Sequence, residues 1–513
     1  MNIAQLVLDN IDRFGEYPCV YHEGRWHTNV QRLHYAEKMA TVLRDQGVQP
    51  GDRVVVMMAN DPSVTDAFHA IWRLGAVMIP VTPNWVAREV RYVLEHSGAQ
   101  VVITSAALAN RIVEAAETVP GIRSILVHGA SELESTIPLE PLIAAAPPLK
   151  LNHECGENDL AMLIYTSGTT GQPKGVMQSH KNLHTNVAAV TKLGAMAAQT
   201  MVMQVLPLSH VFGVLGMNLN AHFGCSSIIL PYWDTRQVFE TIQKFKVARF
   251  SVVPTMLTYM LNFPERQHYD CSSLQLVSTG GAATPDEVRR EFERTFHCRV
   301  RDGYGCSEAT CAISSYHESE AHRVGAVGRP IEEMDLAILN KENELVSVGL
   351  EGEVCVRGPH VMQGYWKDPE TTALAMSGGW LHTGDLGRVD HDGFLYITGR
   401  IKDLIIKGGE NISPREIEEA IYQHRAVAEA AVIGIPDATF GEQVCAVVVL
   451  RPGQSATEIE IQSHVARFVN KFKVPSSVVF RSELPKSPVG KILKRQLREE
   501  LARGEAGPCK QLG

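Results

Sequence analysis

The chain has 513 residues, 45% of them hydrophobic and 20% charged, with a formal net charge of -9. It is too long for a single hydrophobic core, so more than one domain is expected. Acids and bases are interspersed, which excludes a dedicated nucleic-acid binder with its basic face.

At the N-terminus, Asp9, Asp12 and Glu16 interrupt any run that could serve as a signal peptide. The richest apolar stretch, Met196 to Met217, is broken by Gln199, Gln204, Ser209 and His210, so no integral membrane segment is expected. The 10 cysteines form no CxxC pair, and neither a zinc site nor a disulfide framework is suggested. A cytoplasmic protein with reduced thiols is expected. Peripheral membrane contact and homo-oligomerisation stay open.

In chain order, Leu33, Ala36, Met39, Ala40 and Leu43 repeat at helical spacing. Val54–Met58 reads as a strand. Asn60-Asp61-Pro62 then supplies a cap and a first-turn proline for a helix running to about Leu74. Ala76–Val81, Val101–Thr104 and Ile125–His128 are strand-like. This alternation predicts an α/β fold with largely parallel sheets. From about Glu320 short strands follow (Leu336–Leu339, Gly352–Arg357, Phe394–Thr398), separated by Gly- and Asp-rich turns. After Gly399-Arg400 the pattern changes again. Strands at Ala430–Ile435, Val444–Leu450 and Ser477–Arg481 and a helix over Glu458–Phe472 predict a separate small α+β domain.

The strongest local signal is Tyr165-Thr166-Ser167-Gly168-Thr169-Thr170-Gly171-Gln172-Pro173-Lys174-Gly175-Val176. Glycines allow tight backbone turns, hydroxyls donate to oxygens, and Lys174 adds positive charge, a combination suited to polyphosphate. No Ser or Thr follows Lys174, so this is not a Walker loop; nor is it the GxGxxG dinucleotide fingerprint. Further motifs follow in order: Ser278-Thr279-Gly280-Gly281-Ala282-Ala283, Asp302-Gly303-Tyr304-Gly305-Cys306-Ser307-Glu308, Thr383-Gly384-Asp385, Arg400-Ile401-Lys402-Asp403 with Lys407-Gly408-Gly409-Glu410-Asn411, and Pro485-Lys486-Ser487-Pro488-Val489-Gly490-Lys491. Asp385 has the chemistry to accept both hydroxyls of a ribose diol.

Together, from about Gly51 to Leu497, these motifs resemble the adenylate-forming superfamily: acyl-CoA synthetases, luciferase-like enzymes and peptide-synthetase adenylation domains. The GGEN form looks most like bacterial medium- or long-chain fatty acyl-CoA ligases. The resemblance implies a large N-terminal domain (1–399) of two α/β subdomains plus a small β-rich subdomain, a hinge (400–403), and a small mobile α+β C-terminal domain (404–513). It implies ATP, Mg²⁺ and coenzyme A as co-reactants.

It implies that Thr166, Ser167, Gly168, Thr169, Thr170 and Lys174 hold the phosphates, and that Gly281, Ala282, Asp302, Gly303 and Tyr304 border adenine. Ser307 would touch the α-phosphate, although the family residue there is usually Thr. Glu308, with Thr166, would hold Mg²⁺. Asp385 and Arg400 would take the ribose and Lys402 the hinge. Gly408 and Gly409 would line the coenzyme A side, and Lys491 would be the catalytic lysine. His210, Val211, Phe212, Thr279, Gly280, Gly281, Gly305 and Cys306 would border the acid. Cys306 is read as a small packing residue rather than a thiol nucleophile. Relatives carry lysines where this chain has Ile406 and Gly408, so whether Lys407 substitutes is left open. Acetylation of Lys491 would remove the charge that adenylation uses.

The segment Leu206-Pro207-Leu208-Ser209-His210-Val211-Phe212-Gly213 lacks the aspartate that amino-acid adenylation domains use to pair an α-ammonium, so an apolar acid is expected. The expected function is an ATP-dependent acid–CoA ligase acting through an acyl-adenylate, on a medium- or long-chain fatty acid. Alternatives are an aryl acid, an acyl-AMP ligase that loads a carrier protein, and a non-catalytic nucleotide-binding protein.

Overall fold

The computed structural model describes residues 1–166, 172–194, 196–487 and 490–503. Strand Arg53–Met57 leads to Asp61, whose carboxylate accepts a hydrogen bond from the Ser63 backbone N–H at 2.8 Å. Pro62 occupies the first turn of helix Pro62–Arg73, where its missing N–H leaves no bond unmade. The next strand, Val77–Pro80, pairs parallel with Arg53–Met57. The helix read from Leu33 to Leu43 spans Asn29–Asp45 and begins with a Thr28–Gln31 capping box.

Two large sheets form the first part of the chain. One has eight strands among the described residues, in the order 364–365, 174–179, 160–166, 77–80, 53–57, 101–105, 124–128 and 137–138. The other has nine, in the order 329–330, 314–315, 299–304, 276–279, 249–252, 201–204, 226–229, 18–22 and 25–28. Phe250, Val252, Val277 and Val300 turn one face of the nine-stranded sheet into a core with Phe239 and Phe292. The alternate residues Ser251, Leu276, Ser278 and Arg301 remain half-exposed on the opposite face. Strand geometry produces this segregation, since successive side chains point to opposite faces.

A four-stranded antiparallel sheet follows (335–339, 352–357, 381–389, 395–400). Beyond it lies the last unit, with strands 405–407, 410–412, 427–437, 441–450 and 477–481. They pack with helices Pro414–Tyr422 and Glu458–Val465 around a core that includes Ile405, Ile417, Val432, Ala446 and Val448.

The helix expected over Glu458–Phe472 ends at Val465. The Asn470 side chain accepts from the backbone N–H groups of Phe472 and Lys473 at 3.0 and 3.2 Å, a local turn that competes with helix continuation. No helix among the described residues is long and apolar enough to cross a membrane.

Candidate active site

The strands Leu276–Thr279 and Arg299–Tyr304 run parallel, with Thr279 opposite Asp302, and their carboxyl ends open towards the motifs singled out above. Ligands of open α/β sheets bind at such ends. The Thr279 hydroxyl donates to Asp302, and the Thr284 hydroxyl donates to Thr279 at 2.9 Å. Burial raises the Asp302 pKa, while the Thr279 bond pulls it down. His322 stands 3.9 Å from Asp302 and 3.6 Å from Asp286, a bridge that no sequence motif announced. A Cβ on Gly280 would lie 3.1 Å from the Phe212 ring, and one on Gly305 only 1.5 Å from the Cys311 carbonyl oxygen. Ala282 is exposed beside them.

Asp385 is buried, on the strand Leu381–Val389. Its carboxylate accepts from the Tyr304 hydroxyl at 2.7 Å and from Arg400 Nε at 2.8 Å. The carboxylate in turn raises the Arg400 pKa. A carboxylate has about four acceptor positions, so room remains for a diol.

A second cluster forms at the foot of the glycine-rich loop. Thr166 pairs with Lys174 across the hairpin, while Ser167, Gly168, Thr169, Thr170 and Gly171 lie outside the described residues. Lys174 Nζ stands 5.2 Å from the centre of the Tyr365 ring, and the Tyr365 hydroxyl donates to Glu308 Oε1 at 3.0 Å. Ser307 is buried, and its carbonyl accepts from Gln178 at 2.7 Å. Tyr365 was not legible as a site residue. It arrives through the pairing of Gly364–Tyr365 with Lys174–Ser179.

Lys491 reaches these groups from the last unit. A Cβ on Gly281 would lie 3.1 Å from Lys491 Cε, and Gly281 has φ +82°, so glycine is favoured there on both counts. Burial lowers the Lys491 pKa, and Arg400 adds to the effect. The Thr255 hydroxyl donates to the Gly490 carbonyl at 3.1 Å. Arg451 forms a two-pronged ion pair with Glu291 at 2.8 and 3.1 Å. Lys486 lies over the Tyr259 ring and pairs with Glu429 at 2.8 Å.

His210 caps helix Val211–Phe223, its Nδ1 accepting from the Phe212 N–H at 3.3 Å. Burial first, and the Lys491 charge second, push its pKa down to about 3. It is therefore a neutral imidazole at physiological pH. Val211 turns into the core, where it shares a small space with Met162, Leu183 and Val187. Burial, then Glu308, holds the Cys306 thiol well above its ordinary pKa, which makes it a poor nucleophile.

Lys402 is exposed on the short turn Ile401–Asp403, and Arg498 pairs with Asp403 at 3.2 Å. Gly408 and Gly409 are exposed on the following hairpin. Strand alternation leaves Ile406 exposed and turns Lys407 inward, where Nζ donates to the Phe472 carbonyl at 2.8 Å. Lys407 thus faces away from the side that Ile406 presents.

The chain is similar to known proteins over nearly its whole length. The chain is 34% identical to a long-chain-fatty-acid–CoA ligase of Bacillus subtilis, over 97% of this chain and 94% of that one. It superposes on an anthranilate CoA ligase in complex with anthranoyl-AMP with a TM-score of 0.93 at 27% identity, covering 99% and 98% of the two chains. It superposes on ATP-bound MatB of Rhodopseudomonas palustris with a TM-score of 0.88 at 29% identity, covering 97% and 99%. The AMP-binding enzyme family matches residues 8–366 and the AMP-binding enzyme C-terminal domain residues 416–491, and the chain belongs to that family.

Proposed function

We propose that the protein is an ATP-dependent acid–CoA ligase that forms an acyl-adenylate and then an acyl-CoA, with a medium- or long-chain fatty acid as substrate. The observation that carries this reading is the placement of Lys491 beside Gly281, where its charge is felt by His210 and is influenced by Arg400 and Asp385. The curated relative from Bacillus subtilis supports the fatty acid. The anthranilate ligase likeness favours an aryl acid as second reading.

A carboxylate is already ionised at neutral pH, so the first half-reaction needs no general base. Its oxygen attacks the α-phosphorus of ATP and pyrophosphate leaves. Catalysis is then mainly positioning and charge neutralisation. Asp385 orients the ribose, and Lys491 brings one positive charge to the carboxylate and α-phosphate oxygens. His210, being neutral, positions without repelling Lys491. Glu308 suits Mg²⁺, which binds through one or two carboxylates plus substrate phosphates and would neutralise phosphate charge there.

For the second half-reaction, residues 404–513 turn about 400–403 relative to 1–399. Lys491 withdraws, and the face bearing Ile406, Gly408 and Gly409 replaces it. The coenzyme A thiol gives up its proton to solvent, its sulfur attacks the acyl carbonyl, and AMP leaves with the electron pair of the broken acyl C–O bond. The test is AMP and pyrophosphate release across aliphatic and aryl acids, with and without coenzyme A. Acid-dependent AMP that rises with coenzyme A supports the reading. Pyrophosphate release indifferent to coenzyme A would assign the adenylate to another acceptor.

A further inference from the structure

On the half-exposed face of the nine-stranded sheet, Gly303, Arg301 and Arg299 follow one another at alternate positions of one strand. Gly280 continues the row of Ser278 and Leu276 on the neighbouring strand, with Ser278 opposite Arg301 and Leu276 opposite Arg299. Phe212 stands over Gly280 at the active-site end. At the other end lies a recess lined by Arg249, Gln275, Leu276, Arg299, Arg301 and Glu318. From Gly303 to Arg299 the strand advances four residues, about 13 Å at ~3.3 Å per residue. That is a span suited to an acyl chain of intermediate length.

The recess holds three guanidinium groups and one carboxylate. Arg299 donates to the backbone carbonyls of Glu318 and Glu320 at 2.7 and 3.3 Å. Burial, then Arg249 and Arg299, push the Arg301 pKa down to about 10, with Glu318 acting the other way. Glu318 offsets part of this like-charge crowding, and a second anion in the partly desolvated recess would offset more of it.

We propose that Arg301, assisted by Arg249 and Arg299, is a specificity-determining group that pairs with a second carboxylate at the far end of the acid, so that α,ω-dicarboxylic acids of intermediate chain length are substrates. This rests on the ligase reading and adds to it. The reacting carboxylate lies by Lys491, the methylenes run over Ser278 and Gly303, and the distal carboxylate meets the guanidinium fork, which matches carboxylate geometry.

The experiment compares kcat/KM for saturated dicarboxylic acids with monocarboxylic acids of equal length, in the full-length protein and in Arg301→Gln and Arg301→Lys. The expected result is a ratio favouring the dicarboxylic acid at one length, falling roughly ten- to hundredfold in Arg301→Gln, as loss of a charge-assisted pair does, and partly restored in Arg301→Lys. A merely structural role would lower both acids together and leave the ratio unchanged, which overturns the proposal. So would a wild-type enzyme that uses monocarboxylic acids and no dicarboxylic acid. If no acid of either kind were activated, the ligase reading itself would fail.

Discussion

Lys491→Ala isolates one half of the proposed chemistry. The side chain is the last unit's contribution beside Gly281, and its charge acts on His210 across the cleft. Truncation leaves the Tyr304–Asp385–Arg400 cluster intact, so ATP binding should change little. What goes is one preorganised cationic donor to the transition state, roughly a hundredfold in rate, or about 2.7 kcal/mol. The assay is single-turnover pyrophosphate release for adenylation, set beside thioester formation from supplied acyl-AMP and coenzyme A. Adenylation should fall roughly a hundredfold or more while thioester formation stays within about threefold. Equal losses in both would refute the role given to Lys491.

Three more outcomes are expected. Arg451→Ala removes a half-buried, two-pronged pair to Glu291 worth about 1–2 kcal/mol, so adenylation should slow several-fold while the acyl-AMP-to-thioester step does not, measured by the same two assays. Asp385→Asn should raise the KM for ATP about tenfold, with the acid's KM little changed, because it weakens the Arg400 pair and the diol acceptor together. The Lys491 pKa is lowered by burial and then by Arg400, so its charge is lost as pH rises through a value below that of free lysine. Adenylation should therefore show an alkaline limb that thioester formation lacks, and a pH–rate profile of each step checks this.

The motifs made a candidate site legible because each is a run of neighbouring residues whose chemistry is local. Asp61-Pro62 announced a helix start for the same reason, and the structure has it. Glu458–Phe472 misled because apolar spacing continues past Val465, while Asn470 offers the backbone a competing turn. Tyr365 and His322 were invisible, since their partners Glu308 and Asp302 are near only after the sheets form. Ile406 and Lys407 could not be told apart by composition, and strand alternation decided between them.

The burial of Lys491 has a consequence for timing. An ammonium moved out of water costs free energy unless an anion meets it. The docked arrangement is therefore least favourable in an empty cleft and most favourable over a triphosphate, while Arg451–Glu291 holds the edge in either case. On the proposed mechanism the Lys491 charge would therefore act as a latch that closes on its own substrate and loosens once the pyrophosphate has gone.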